Sequence, residues 1–210
     1  MPFNLPYDTL VQDVLPMGII FLTVLVSIRL TWIILNREKF VLYKELIALL
    51  FVIYIMLLFW VVTFFDDNYG LSNFVPFTEI FRHDFMTYRF IKHNFGNILM
   101  FMPYALFLGY YLKTNSWKIV LALSGLLSLV IELTQKYIVG RAFDIDDILL
   151  NMLGAYLGWL VYSGISKMHD KLPGFTRSEW FLNALVVIVL TVVVAILIHI
   201  FQNTPSWMLP

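Results

Sequence analysis

Six apolar stretches, each long enough to cross a lipid bilayer, are the feature that most restricts what this chain can fold into. They cover roughly residues 15–35, 45–65, 95–112, 117–138, 148–166 and 181–201. A transmembrane α-helix needs about 20 predominantly apolar residues. Inside a bilayer the backbone must satisfy its own hydrogen bonds, which an α-helix does within one segment. The sequence therefore predicts an all-α integral membrane protein, a bundle of about six transmembrane helices.

The composition favours the same class of protein. Hydrophobic residues make up 60% of the chain and charged residues 13%, whereas soluble domains carry about 25% charge. The connections between the stretches are short, so we expect residues 1–210 to form a single membrane domain. The formal net charge is zero, which argues against a nucleic-acid partner. Cysteine is absent from the sequence, which excludes disulfides and thiolate metal sites.

The distribution of Lys and Arg predicts how the helices are oriented. The connections after the first, third and fifth stretches carry Arg37, Lys39, Lys44, Lys113, Lys118, Lys167, Lys171 and Arg177. The opposite side carries Arg82, Arg89, Lys92, Lys136 and Arg141. Because Lys and Arg are enriched in cytoplasmic loops, we expect a multi-pass membrane protein with both termini outside the cell.

Polar residues are concentrated in one stretch of this apolar chain, IELTQKYIVGRAFDIDDILLNMLG at residues 131–154. In the predicted topology it is the outer hairpin that joins helices four and five. Glu132 lies roughly 9 Å below the end of its apolar run, at about 1.5 Å per residue. A carboxylate at that depth is costly unless it is paired, protonated or facing a wet cavity. We therefore expect Glu132 to face the interior, with Arg141 as a partner for it or for one of the nearby aspartates.

The fifth helix begins with the acidic run DIDD. Asp144 is a suitable N-cap, and the helix dipole favours carboxylates such as Asp146 and Asp147 in the first turn. Three aspartates exceed what a cap requires. Asp144, Asp147 and Asn151 also lie on one stripe of the helix, at i, i+3 and i+7, so we expect these side chains to point the same way.

The outer entrance of the third helix carries a similar pair, Asn94 and Asn97. Helices three, four and five therefore each present polar groups at a similar depth, which predicts a ligand-binding pocket that opens to the outside. Its predicted members are Glu132, Gln135, Arg141, Asp144, Asp146, Asp147, Asn151, Asn94, Asn97 and Ser128. Gly154 and Gly158, four residues apart, predict a close approach between the fifth helix and a neighbouring helix.

The connection between helices two and three, NFVPFTEIFRHDFMTYRFIKHN at residues 73–94, has an aromatic and basic pattern. Its aromatic residues recur at helical spacing, which predicts an amphipathic helix in the outer membrane interface. The residues expected to contact lipid are Arg82, Arg89, Lys92, Phe77 and Phe81. A packed loop helix with solvated charges is the alternative. His83 and His93 lie in this segment, but their spacing matches no tight ligand motif, so we expect no metal site.

Several short motifs follow one another in this part of the chain: NFVPF at 73–77, NILMFMP at 97–103, IExxQ at 131–135, RxxDxDD at 141–147 and NxxGxxxG at 151–158. In order and approximate spacing they resemble the signature of the VanZ-like membrane protein family across roughly residues 70–165, a core of the interfacial helix and helices three to five. The resemblance implies a location in the bacterial plasma membrane and low-level resistance to teicoplanin, a lipid-tailed glycopeptide that acts on cell-wall precursors at the outer face. It supplies no catalytic roles.

Three hypotheses for function follow. The favoured one is a binding protein without cofactor, whose pocket engages membrane lipids, a lipid-linked cell-wall precursor or the amphiphilic part of the lipoglycopeptide. The alternative is a membrane enzyme in which the DIDD carboxylates bind Mg²⁺ to reach a lipid phosphate or pyrophosphate, with Glu132 as general base. The third is a lipid or small-molecule transporter, since helices three and five each present an Asn about one turn inside the membrane. The chain shows no second half of comparable size.

Overall fold

The computed structural model describes residues 15–64, 71–82, 84–169, 171 and 173–203. In these ranges six long helices are joined by short connections. They are α1 (Leu15–Asn36), α2 (Leu42–Phe64), α3 (Tyr88–Leu112), α4 (Trp117–Thr134), α5 (Ile145–His169) and α6 (Glu179–Asn203). Each contains a segment long and apolar enough to cross a membrane, which confirms the predicted all-α membrane class. Both chain ends lie outside the described residues.

Two of these helices contain a turn of π-helix. In α3 the π-turn is Ile91–Phe95, between an α-helical turn at Tyr88–Phe90 and the long α-helical part Gly96–Leu112. A second π-turn, Gln135–Val139, extends α4. Single π-turns inside α-helices occur frequently at functional sites, and both of these border the polar residues described below.

Local residues set the helix ends. The Thr87 hydroxyl accepts a hydrogen bond from the Phe90 N–H and so caps α3, which ends at Lys113 in the left-handed conformation, with φ 49°. Gly140, with φ 81°, ends the π-turn after α4; the left-handed region favours glycine because it has no Cβ. The Asp144 side chain accepts a hydrogen bond from the Asp146 N–H at 2.9 Å, which confirms Asp144 as the N-cap of α5.

The chain divides into two compact units. The described residues of the first belong to Met1–Leu57 and Pro173–Pro210, and those of the second to Leu58–Leu172. The first unit therefore contains α1, α6 and most of α2. The second contains the end of α2 and helices α3 to α5, where all the predicted pocket residues lie.

An arginine in the first unit shows how a charge inside an apolar helix is accommodated. The Arg29 guanidinium donates to Glu45 through two nitrogens, at 3.0 and 2.9 Å, and lies 3.1 Å from a Glu38 oxygen. Ionisable side chains within membrane helices require such partners.

Helices α3 and α5 are in backbone contact in the second unit. A Cβ added to Gly154 would clash with the carbonyl oxygen of Ile98, and one added to Gly158 would clash with that of Met102. This confirms the predicted close approach at the glycine pair. A small core of Phe101, Ala105, Val120 and Ala155 fills the space among α3, α4 and α5.

The predicted amphipathic helix between α2 and α3 is wrong. Residues 71–82 and 84–87 are turns, bends and extended chain, and Phe77 and Met86 have φ values of 68° and 63°. Such left-handed residues interrupt a right-handed helix. The physical reason is a competing set of hydrogen bonds, since backbone N–H groups of this segment bind a side chain of α5. His83, which falls within this segment, lies outside the described residues.

Replacing Gly154 with alanine should lower the free energy of unfolding by about 1–3 kcal/mol, because the added Cβ must push α3 away from α5. The matched control is Gly164→Ala in the same helix, where no atom lies within 4 Å of an added Cβ. That change should leave stability unchanged or raise it by up to about 1 kcal/mol. Thermal unfolding of the purified protein in detergent measures both; equal effects would contradict the close contact.

Candidate functional site

The polar residues predicted from the sequence meet at one end of the second unit, where α3 begins, α4 ends and α5 begins. Eight of the ten are buried, and Asn97 and Asp147 are partly buried, so the group faces protein rather than lipid. The structure adds Asn73 and His93 to it. We call these twelve residues the polar centre. That they bind a ligand remains a prediction.

Asp144 connects three parts of the polar centre. Its N–H donates to Glu132 Oε2 at 2.9 Å, which joins the start of α5 to α4. Its Oδ1 accepts two hydrogen bonds at 2.9 Å, one from the Asn73 side-chain amide and one from the Asp146 N–H. Asp144 is only 1% exposed. Glu132 therefore faces the interior, next to the N-cap of the following helix.

A short β-bridge holds the segment before α3 against the start of α5. The Asn73 N–H donates to the Phe143 carbonyl at 2.7 Å, and the Ile145 N–H donates to the Asn73 carbonyl at 3.1 Å. The Phe143 N–H in turn donates to Ser72 Oγ at 3.1 Å. Two segments about 70 residues apart in sequence are thereby paired at the polar centre.

The Asp146 carboxylate explains why the same segment turns instead of forming a helix. It is fully buried and accepts three backbone hydrogen bonds, from the N–H groups of Phe77 at 2.6 Å, Glu79 at 2.7 Å and Ile80 at 3.2 Å. The Ile80 carbonyl then accepts a bond from the Asn94 amide at 3.1 Å. Because both oxygens of Asp146 are occupied, the arrangement does not favour its use as a Mg²⁺ ligand in the enzyme hypothesis.

Gln135 and Arg141 hold the end of α2. The Gln135 amide and the Arg141 guanidinium donate to the Val62 carbonyl at 3.0 and 2.8 Å. The last carbonyls of a helix have no partner within the helix, so these bonds satisfy a group that would otherwise be exposed to lipid. The expected ion pair of Arg141 with Glu132 or an aspartate stays a prediction.

Deeper along α4 and α5, the polar contact is a link between helices. The Asn151 amide donates to Ser128 Oγ at 2.9 Å, and both side chains are buried. Hydrogen bonds of this kind join neighbouring membrane helices. The Asn151–Ser128 pair thus ties α4 to α5 below Glu132.

The imidazole of His93 and the carboxylates of Asp144 and Asp147 form a small cluster within the polar centre. His93 Nε2 lies 3.6 Å from Asp147 Oδ1, and the Asn97 amide donates to the same oxygen at 2.5 Å. Ligand atoms of His93, Asp144 and Asp147 all lie within 4.8 Å of one another. From the sequence no metal site was expected, because the spacing of His83 and His93 matches no ligand motif. The cluster combines a residue of α3 with residues at the start of α5, which are about 50 positions apart in the sequence.

The electrostatics of the polar centre are dominated by carboxylates. Burial raises the pKa of the Asp144 carboxyl above its ordinary value, although the hydrogen bonds from the Asp146 N–H and the Asn73 amide lower it. Among the described residues, Arg141 is the one buried Lys or Arg side chain.

The segment that is hydrogen-bonded to the polar centre carries a group of exposed aromatic side chains, the aromatic rim. We use this name for the side chains of Phe74, Phe77, Phe81, Phe85 and Tyr88, each more than half exposed. The predicted lipid-contacting bases Arg82, Arg89 and Lys92 are also exposed. Lys136 Nζ lies 5.0 Å from the centre of the Phe74 ring, which adds a cation–π contact between the rim and the end of α4.

A polytopic membrane protein with a buried, carboxylate-rich centre at one end of three of its helices is the class that the fold and the site define. The family model described as VanZ/LLP1 matches residues 51–167, which include the whole polar centre. The chain belongs to the VanZ/LLP1 family. It is similar to Protein VanZ of Enterococcus faecium, with 28% identity over 159 residues that cover 76% of this chain and 92% of that protein. No solved structure matches it significantly.

The change Asp146→Ala should lower the free energy of unfolding by about 3 kcal/mol or more, because three hydrogen bonds to a buried charged acceptor are lost. Hydrogen exchange of the backbone at residues 73–82 should become faster. The control is Glu79→Ala in the same segment, which removes an ion pair with the exposed Arg82 and should change stability by about 0–1 kcal/mol. Unchanged exchange in the Asp146 variant would show that this carboxylate does not hold the segment.

Proposed function

We propose that this VanZ-family protein lowers susceptibility to teicoplanin by binding an amphiphilic or lipid-linked ligand at the outer face of the plasma membrane. The ligand is the lipoglycopeptide itself or the lipid-linked precursor that it targets. The observation that carries the proposal is the exposed aromatic rim, whose segment is joined to the buried polar centre by backbone hydrogen bonds from Phe77, Glu79 and Ile80 to Asp146.

The rim has the chemistry of a surface for amphiphiles. Aromatic side chains occupy the boundary between acyl chains and head groups, where their apolar bodies are buried and polar neighbours stay wet. The exposed bases next to the rim, Arg82, Arg89 and Lys92, provide cations for phosphate or carboxylate groups. A ligand with a lipid tail and an anionic head group is complementary to both features.

The polar centre holds this surface in one conformation. Asp146 fixes the backbone around Phe77 through three hydrogen bonds, and Asn73 fixes the start of the segment against α5. A binding surface that is ordered before the ligand arrives loses less conformational entropy on binding. The buried residues therefore support recognition mainly by positioning the rim.

The orientation inferred from Lys and Arg places the rim outside the cell. The ends opposite the polar centre carry the cationic connections, including Lys113 and Lys118 between α3 and α4. Under the positive-inside rule those connections are cytoplasmic. The rim would then face the compartment in which teicoplanin meets its target.

Expression of the protein in a teicoplanin-susceptible Gram-positive host should raise the inhibitory concentration of teicoplanin. The double change Phe77→Ser and Phe81→Ser should abolish this effect at equal protein level, because it removes apolar area from the rim. The matched control is Phe175→Ser, an exposed aromatic residue in the connection between α5 and α6, which should protect fully. Absence of protection by the unaltered protein would overturn the function, and full protection by the rim variant would overturn the role of the rim.

Orientation is directly testable because the chain has no cysteine. In the variant Asp84→Cys the thiol lies at the rim end, and in Asn115→Cys it lies in the connection between α3 and α4; both positions are exposed. A membrane-impermeant maleimide should label the first in intact cells and the second only after permeabilisation. The reverse pattern would place the rim in the cytoplasm and overturn the proposal.

A further inference from the structure

We infer that His93, Asp144 and Asp147 form a binding site for one divalent transition-metal ion, with Zn²⁺ as the reference cation. This site goes beyond the proposed function, which requires no metal. The first support is the donor set itself. An imidazole nitrogen from the π-turn of α3 and carboxylate oxygens from the N-terminus of α5 lie within 4.8 Å of one another.

The spacing of the donor atoms is close to that of a coordinated ion. With metal–nitrogen and metal–oxygen bonds of about 2.0–2.2 Å, two ligands of a tetrahedral Zn²⁺ are about 3.4 Å apart. His93 Nε2 and Asp147 Oδ1 are separated by 3.6 Å. This pair is therefore about 0.2 Å wider than two ligands of a tetrahedral Zn²⁺, and the donor atoms of all three residues lie within 4.8 Å of one another.

Two of the donor atoms have no other role. Among the described residues, Asp144 Oδ2 and His93 Nε2 are buried and have no hydrogen-bond partner. Asp144 as a whole is 99% buried, with 1% of its surface exposed. Buried polar atoms in folded proteins are nearly always satisfied by a partner, and leaving one unsatisfied costs free energy. A cation between these two atoms satisfies both.

The neighbours of the donors orient them as the outer shell of a metal site does. Asn97 donates to Asp147 at 2.5 Å and fixes that carboxylate beside His93. Asn73 and the Asp146 N–H both bind Oδ1 of Asp144, which leaves Oδ2 directed away from them. Hydrogen bonds from neighbouring groups to the ligand side chains fix the ligand geometry and raise metal affinity.

Charge favours a cation at this position. The polar centre holds four carboxylates, those of Glu132, Asp144, Asp146 and Asp147, and Arg141 is the one buried Lys or Arg side chain in the described part of the chain. Buried charges are stable when they are paired or coordinate a metal. One arginine balances only part of the negative charge of four carboxylates. A dication between Asp144 and Asp147 balances more of it.

The donor types select the class of metal. Mg²⁺ and Ca²⁺ prefer all-oxygen ligands, whereas imidazole suits Zn²⁺ and the ions of copper, iron and nickel. Three protein donors leave a coordination position for water or for an anionic oxygen of a ligand. We therefore assign the site to a transition-metal ion rather than to Mg²⁺.

The test is calorimetric titration of Zn²⁺ into the metal-free, full-length protein in detergent, followed by metal analysis after dialysis. The unaltered protein should bind one ion per chain. Affinity should fall at least about 100-fold in Asp144→Asn, Asp147→Asn and His93→Gln, and about 10–100-fold in Asn97→Ala, which removes only an outer-shell bond. The control Asp84→Asn, an exposed acid at the same end, should bind as the unaltered protein does.

The variants also separate binding from folding. His93 is the most tolerant position, because 26% of its side chain is exposed. Zn²⁺ should raise the melting temperature of the unaltered protein and leave that of His93→Gln unchanged, with both melting alike when metal-free.

Equal Zn²⁺ affinity in all these proteins would overturn the site. Mg²⁺ binding that persists in His93→Gln at full affinity would overturn the assignment to a transition metal. Neither result bears on teicoplanin protection, which is measured separately in cells.

Discussion

The carboxylates at the N-terminus of α5 are the constraint on which the rest of the second unit depends. A charged group at the end of a membrane helix must find partners, since lipid provides none. Asp146 finds them in three backbone N–H groups of the segment before α3. Asp144 accepts a hydrogen bond from the Asn73 amide of the same segment, and its own N–H donates to Glu132 of α4. The acids thus join α4, α5 and the connecting segment into one structure.

This arrangement separates two roles among the polar residues. Residues that bind backbone, such as Asp146 on Phe77 and Gln135 on Val62, shape the fold. Asp144 and His93 each also have a buried atom without a hydrogen-bond partner, Oδ2 and Nε2, which retains capacity for a ligand. The side chains of the aromatic rim are exposed, whereas the backbone N–H of Phe77 in the same segment is bound to Asp146. Membership of the VanZ/LLP1 family and the position of the rim together support recognition of an amphiphile at the membrane surface.

The sequence predicted most of the fold because membrane helices are identified by local properties. Hydropathy placed all six spans, the small residues Gly154 and Gly158 marked the α3–α5 contact, and Asp144 was recognisable as a cap. The amphipathic helix failed for the opposite reason. The spacing of Phe77 and Phe81 matches a helix, but the N–H groups of Phe77, Glu79 and Ile80 donate to a carboxylate more than 60 residues away, that of Asp146. A local pattern contains no information about that competition.

The sequence by itself therefore determined the membrane class and the six spanning helices. It also determined that the polar residues lie where α3 begins, α4 ends and α5 begins. Each of these follows from the transfer energy of consecutive residues between water and lipid, which is summed along the chain. Only the tertiary structure decided which polar groups meet. Asn73 joined Asp144 through a β-bridge, and His93 came beside Asp147 through the packing of α3 on α5. These are contacts between distant segments, and they depend on helix packing that no periodicity encodes.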